Sequence, residues 1–190
     1  MSQSVSNSIK SIATLFLVAM LFSCGNDLKE VQDFLADKNL PIGIVKQVNL
    51  IHTDSGRVKT KLTAPLLHDF SNREKHPYQE FPEGVKIVSF DKEKDSVTLT
   101  ANYSRTYSKT NISEVKGDVI VTNHKEKSKL FTEQLFWDQI THYFYTEKAF
   151  RLITQTDTID GKGFESKEDL SKLTMKDISG AVYINENTKQ

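Results

Sequence analysis

The sequence predicts an all-β sandwich or barrel, and three observations carry that prediction. From about Val45 onward, apolar and polar residues alternate with period two. The alternating segments recur about every 10–15 residues, too closely for βαβ units. Clusters of turn-forming residues separate them.

Taken in order, Val58, Thr60 and Leu62 alternate with Lys59 and Lys61. Residues 66–79 carry His68, Asp69, Ser71, Asn72 and Pro77 and read as a loop. Val85 and Ile87 open the next strand, which ends at Phe90-Asp91. Val97, Leu99 and Ala101 alternate with Thr98, Thr100 and Asn102. Val119 and Val121 flank Ile120, and Phe150, Leu152 and Thr154 alternate with Arg151 and Ile153. Strands wet on one face produce this pattern. The connections are read at Asp54-Ser55-Gly56, Asp91 to Asp95, Lys116-Gly117-Asp118 and Asp160-Gly161-Lys162-Gly163. No helix is predicted beyond residue 42. Alternation assigns Val85, Ile87, Val97, Leu99, Val119, Val121, Phe150 and Leu152 to the inward face. It leaves open whether they meet an open groove or a closed core.

The first residues read differently. An apolar run from Ile12 to Phe22 is broken only by Thr14 and preceded by Lys10. It is short for a spanning helix, which needs about 20 residues, and suits the core of a signal peptide. An uncleaved signal anchor is the other reading. The run ends in Leu21-Phe22-Ser23-Cys24, which resembles the bacterial lipobox, and Cys24 is the only cysteine of the chain. Cys24 is therefore expected to be lipidated and to tether the chain to a membrane. Two or more acyl chains anchor stably, at about 0.8 kcal/mol per buried CH₂. The expected organisation is a signal peptide over 1–23, a tether over 24–42, the β-domain over 43–184 and a tail over 185–190. Within the tether, Asn26 can cap a short helix with Leu28, Val31, Phe34 and Leu35 on one face, ended by Asn39 and Pro41.

Composition narrows the function. Of 190 residues, 25 are Lys or Arg and 25 are Asp or Glu. A zero balance argues against a nucleic-acid partner, which needs a basic face. One cysteine excludes an intrachain disulfide framework and a Cys-rich zinc site. His52, His68, His76, His124 and His142 form no metal-ligand spacing. No phosphate loop, dinucleotide fingerprint or nucleophile elbow occurs, so no cofactor and no catalytic residue are predicted. Phe136, Trp137, Tyr143, Phe144 and Tyr145 crowd one stretch, as a core or as an apolar lining for a ligand.

Several segments then fall into one order. They are Phe81-Pro82-Glu83-Gly84-Val85, Ser96-Val97-Thr98-Leu99-Thr100-Ala101-Asn102-Tyr103, Gly117-Asp118-Val119-Ile120-Val121, Thr132-Glu133-Gln134-Leu135-Phe136-Trp137-Asp138 and Gly161-Lys162-Gly163-Phe164, followed by Leu173-Thr174-Met175. Over roughly residues 45–184 the series resembles the LptC family, the membrane-tethered periplasmic component of the lipopolysaccharide export ABC transporter.

The resemblance implies an open antiparallel β-jelly roll with an apolar interior. It implies a non-enzymatic carrier that takes lipopolysaccharide from the inner-membrane transporter and passes it to a periplasmic bridge jelly-roll protein. The inward residues named above become lipid-binding candidates. The N-terminal edge, 47–53 with Val48 and Leu50, would meet the transporter. The C-terminal edge, 175–184 with Met175 and Ile178, would meet the bridge. Gly161 occupies the family's glycine-bearing turn. The expected place is the periplasmic side of the inner membrane, held by the lipid anchor. Many relatives keep a transmembrane helix instead. Two other readings stand beside this one. The first is an envelope glycan enzyme using Glu133 and Asp138 as acid and base. The second is an assembly lipoprotein with a closed core.

Overall fold

The computed structural model describes residues 33–34 and 38–181. The signal segment, Cys24, most of the tether and the tail 185–190 lie outside the described residues. The chain divides into two compact units, Met1–Phe34 and Leu35–Gln190. In the first, Asp33 and Phe34 are helical.

The second unit is all β. Its strands are β1 (Gly43–Asp54), β2 (Arg57–Phe70), β3 (Tyr78–Phe81), β4 (Val85–Phe90), β5 (Ser96–Ala101), β6 (Tyr103–Tyr107), β7 (Ile112–Asn123), β8 (Ser128–Asp138), β9 (Tyr143–Ile153), β10 (Thr158–Lys167) and β11 (Leu173–Ala181). They form one eleven-stranded antiparallel sheet, folded over in a jelly-roll-like arrangement. Pairing follows the chain. β2 pairs with both β3 and β4, and β7 pairs with both β5 and β6. Each of those short pairs is therefore one long strand with a break in it.

The breaks line up. Gln47 in β1 has a positive φ, and Pro65 stands opposite it in β2. Pro82-Glu83-Gly84 separates β3 from β4, and Asn102 separates β5 from β6. In β7, Gly117 and Asp118 bulge between Lys116 and Val119. The β8–β9 register shifts between Thr132 and Phe136, and the β9–β10 register between Lys162 and Phe164. Bulges bend the strand that carries them. The result is a seam across the sheet, with an arm of every long strand on each side. The arms make two leaves that face each other.

Three expectations are corrected here. Residues 66–70 belong to β2, so the loop is only 71–77. Lys116-Gly117-Asp118 is a bulge inside β7, and Asp160 to Gly163 lies inside β10 rather than in a connection. The true β9–β10 link is at 154–157, where Thr154 N–H donates to the Asp157 carbonyl at 2.9 Å. Bulges and turns use the same left-handed residues, so sequence punctuation does not separate them.

Both leaves feed one core. Val115, Val121, Leu130 and Leu135 are completely buried, and Val119, Leu152, Phe81 and Phe164 nearly so. Each such side chain stabilises the fold by about 1.5–3 kcal/mol relative to exposure.

Candidate functional site

The leaves are packed together in the middle of the sheet and leave a gap toward the β1 edge and the strand tips. Two cavities occupy the gap. One, of about 800 Å³, is lined by Leu50, Leu62 and Ile87 from one leaf and by Thr106, Ser113, Trp137 and Gln139 from the other. The second, of about 930 Å³, is lined by Val97, Leu152, Leu170 and Leu173 with a polar rim. Both touch Ser89, Phe90, Asp91, His142 and Glu168. Together they make one trough running along the strand order, from edge β1 toward the β10–β11 turn.

The alternation that builds the trough is visible in the register. Val85 faces Ala101, Ile87 faces Leu99, and Leu130 stands between Val121 and Leu152. All eight inward candidates lie on the inner face, but they divide in two. Val97, partly exposed at the margin of the core, lines the trough, and Ile87 and Leu152, buried in the core cluster, also border it. Val85, Leu99, Val119, Val121 and Phe150 pack into the core at the floor. Outward Thr98 instead hydrogen-bonds His124 Nε2 at 2.8 Å.

The crowded aromatics divide the same way. Trp137 and Phe144 point inward and are buried. Phe136 and Tyr145 stack on the outer face, with ring centres 5.2 Å apart.

The rim is polar and internally paired. Lys125 Nζ sits 2.6 Å from Asp95 and 2.8 Å from Glu93. Those carboxylates, Asp95 first, raise the Lys125 pKa above its usual value. Asp91, Glu93 and Asp95 hold carboxylate oxygens within 4.8 Å of one another. The Lys125 ammonium already bridges two of them. Across the mouth, Trp137 Nε1 donates to Glu168 Oε2 at 3.2 Å, and His142 Nδ1 lies 3.2 Å from the same oxygen. Asn123 Nδ2 donates to the Asp169 carbonyl at 2.7 Å and so ties one leaf to the turn of the other. Sequence reasoning offered Trp137 as one of five aromatics for a core or an apolar lining, and missed Leu62, Asn123, His142, Glu168 and Leu170 as lining or rim residues. Only Leu62 and Trp137 carried a signal, the period-two spacing from Thr60 and Leu135.

The edge residues fall unevenly. Val48 is buried opposite Ala64, so it belongs to the core rather than to a free edge surface. Leu50 is half exposed and lines the trough. Ile44, Val45 and Ile51 on β1 are also exposed. On β11, Met175 packs against the core and Ile178 is exposed.

Gly161 is corrected too. It lies inside β10 without a positive φ, and a Cβ there would meet the Asp177 carbonyl at 2.6 Å and the Phe150 ring at 2.7 Å. Its role is close approach, not a turn. The left-handed glycine is Gly163, at the bulge, with φ 79°.

The acid–base pair does not assemble. Glu133 and Asp138 are five residues apart on β8, about 17 Å at strand rise. Glycosidase carboxylates stand about 5–9.5 Å apart. Asp138 accepts the Ile140 and Thr141 amides at 2.9 and 3.1 Å. Those bonds, Thr141 first, hold its carboxyl below the usual range, unsuited to a general acid.

Comparison with known proteins agrees with this architecture. No curated protein sequence matches the chain. A family profile described as "Lipopolysaccharide-assembly, LptC-related" matches residues 12–183. Members of that family are non-enzymatic components of lipopolysaccharide transport, at the periplasmic side of the inner membrane. A folded antiparallel sheet with an apolar trough, matched over nearly its whole length by this profile, places the chain in the LptC family.

Proposed function

We propose that this chain receives lipopolysaccharide from the export ABC transporter, shelters its acyl chains between the two leaves, and passes it to a periplasmic bridge jelly roll. The observation that carries this reading is the trough, with Leu50, Leu62, Ile87, Val97, Leu152 and Leu173 along it. Each acyl CH₂ removed from water contributes about 0.8 kcal/mol. Sugars and phosphates stay at the polar rim, in water. No bond in the ligand changes, and the driving energy comes from ATP hydrolysis in the transporter.

Val85, Leu99, Val119, Val121 and Phe150 hold the trough floor in place beneath the lining. The free edges supply docking by strand addition. β1, with Ile44, Val45 and Ile51 exposed, receives the transporter's jelly roll. β11, with Ile178 exposed, receives the bridge protein. Cys24 carries the lipid anchor at the inner membrane.

Photocrosslinkers at Leu62, Ile87 and Val97 test the trough. They should capture lipopolysaccharide in cells, and crosslinkers at outward Thr98 and Thr100 should not. Equal capture on both faces would refute the reading. For the anchor, Cys24→Ala should abolish fatty-acid labelling and free the protein from membranes. Retained labelling would show a different tether.

A further inference from the structure

The turn between β10 and β11 carries a contradiction in its own sequence. Lys167, Asp169, Ser171 and Lys172 are exposed, and Glu168 is half-buried. Leu170, in their midst, is only 6% exposed and joins the hydrophobic core cluster. One apolar side chain therefore docks an otherwise charged turn. Its backbone is held at φ 59°, a region that bulky side chains rarely adopt. Docking is thus gained against backbone strain.

Leu170 also occupies a particular place. It lines the trough together with Val97, Leu152 and Leu173, at the end toward β11. Polar links also hold the turn there. Asn123 Nδ2 reaches the Asp169 carbonyl, Trp137 and His142 reach Glu168, and Glu168 N–H donates to the His142 carbonyl at 2.9 Å. His142 and Glu168 lie at the mouth, where water can replace their bonds at little cost, whereas Asn123 and Trp137 are buried and must find other partners when the turn moves. An acyl chain entering the same volume would restore the apolar contacts that Leu170 makes and release its backbone from the strained conformation.

We propose that the β10–β11 turn is a displaceable plug. Leu170 fills the β11 end of the trough in the empty protein and swings out when lipid takes its place. The trough is thereby closed toward the C-terminal edge until it is loaded. This inference rests on the reading of the trough as the lipid site. It adds that lipid reaches the exit only by displacing Leu170.

The test uses the full-length chain in detergent with purified lipopolysaccharide as the probe. A Leu170→Cys variant is labelled with a maleimide, and a chain with Cys24 alone gives the background. A photocrosslinker at Leu62, at the other end of the trough, reports loading in the same sample. The plug predicts maleimide labelling several-fold faster once lipopolysaccharide is added. Loading at Leu62 with unchanged or slower labelling at position 170 overturns the plug and leaves the lipid site standing. No crosslink at Leu62 overturns the lipid site, and the plug falls with it. Should Leu170→Cys fail to fold, amide hydrogen exchange on the chain that carries only the Leu62 crosslinker reports instead. The Leu170 N–H, which donates to the Lys167 carbonyl at 2.9 Å, should exchange several-fold faster on loading. Unchanged exchange there in a sample that crosslinks at Leu62 overturns the plug as well.

Discussion

In the middle of the sheet the two leaves are in contact, and toward the β1 edge and the strand tips they stand apart. The same inward alternation builds both regions. In the middle strands it yields Val115, Val121, Leu130 and Leu135, fully buried. At the β1 end of the same cross-strand row it yields Leu50 and Leu62, and toward the tips Val97, all partly exposed over a cavity. Stability is therefore concentrated where the leaves meet, and ligand capacity where they part. A carrier gains from this division. The floor keeps the leaves at a fixed angle while the lining stays free to exchange one apolar partner for another.

The sharpest way to break the comparison is to truncate one leucine from each region. Leu130→Ala should cost about 2–5 kcal/mol in denaturant unfolding, because a closed site keeps the void. Leu62→Ala should cost about 1 kcal/mol, since its site is already half open. It should nonetheless weaken lipopolysaccharide capture more than Leu130→Ala does in the fraction that folds. Equal stability costs would mean that the β1 end of the sheet is as closed as its middle.

Gly161→Ala probes the C-terminal edge with a smaller effect. Its Cβ would strike the Asp177 carbonyl and the Phe150 ring. Destabilisation of roughly 1–3 kcal/mol is expected. Amide exchange should accelerate mainly in β11, which among the described strands pairs with β10 alone. Uniform loss of protection over the whole sheet would contradict a local clash.

The smallest effect is pH-dependent and lies on the outer face. Glu80 Oε1 accepts Tyr103 Oη at 2.5 Å and Arg105 Nη2 at 2.9 Å. Burial pushes the Glu80 carboxyl up, but the Tyr103 and Arg105 hydrogen bonds outweigh it and leave the pKa below its ordinary 4.5. A lowered carboxyl pKa stabilises the fold above the unfolded value and ceases to do so as pH falls through the folded one. Glu80→Gln should therefore lower stability by about 1 kcal/mol at neutral pH. The gap to wild type should close as pH drops below 4.5. A gap that persists in acid would assign the effect to packing.

Much of the fold is legible because its strands are wet on one face. Val97, Leu99 and Ala101 against Thr98 and Thr100 state both the strand and its buried side. The bulges are not legible as bulges. Gly117-Asp118 and Gly163 use left-handed backbone, as turns do, and only their neighbours' continued pairing shows that the strand goes on. The division of inward residues into floor and lining is not legible either. Val97 and Val121 have the same chemistry and the same phase, and differ only in how far the opposite leaf stands from each. The clasp at the mouth joins Asn123 to Asp169, 46 residues apart, and Leu170 sits in a turn whose composition announces a surface.

By itself the sequence determined the all-β class, the inward face of β4, β5, β7 and β9 and the absence of local catalytic spacing, because these depend on neighbours within a few residues. It also carried the ordered segments that resemble the LptC family. The tertiary structure alone decided where the sheet folds, which inward residues line the trough, why Gly161 must lack a side chain, and where Leu170 goes. Those depend on the distance between two leaves of one sheet, which the register of all the strands fixes together and no single segment contains.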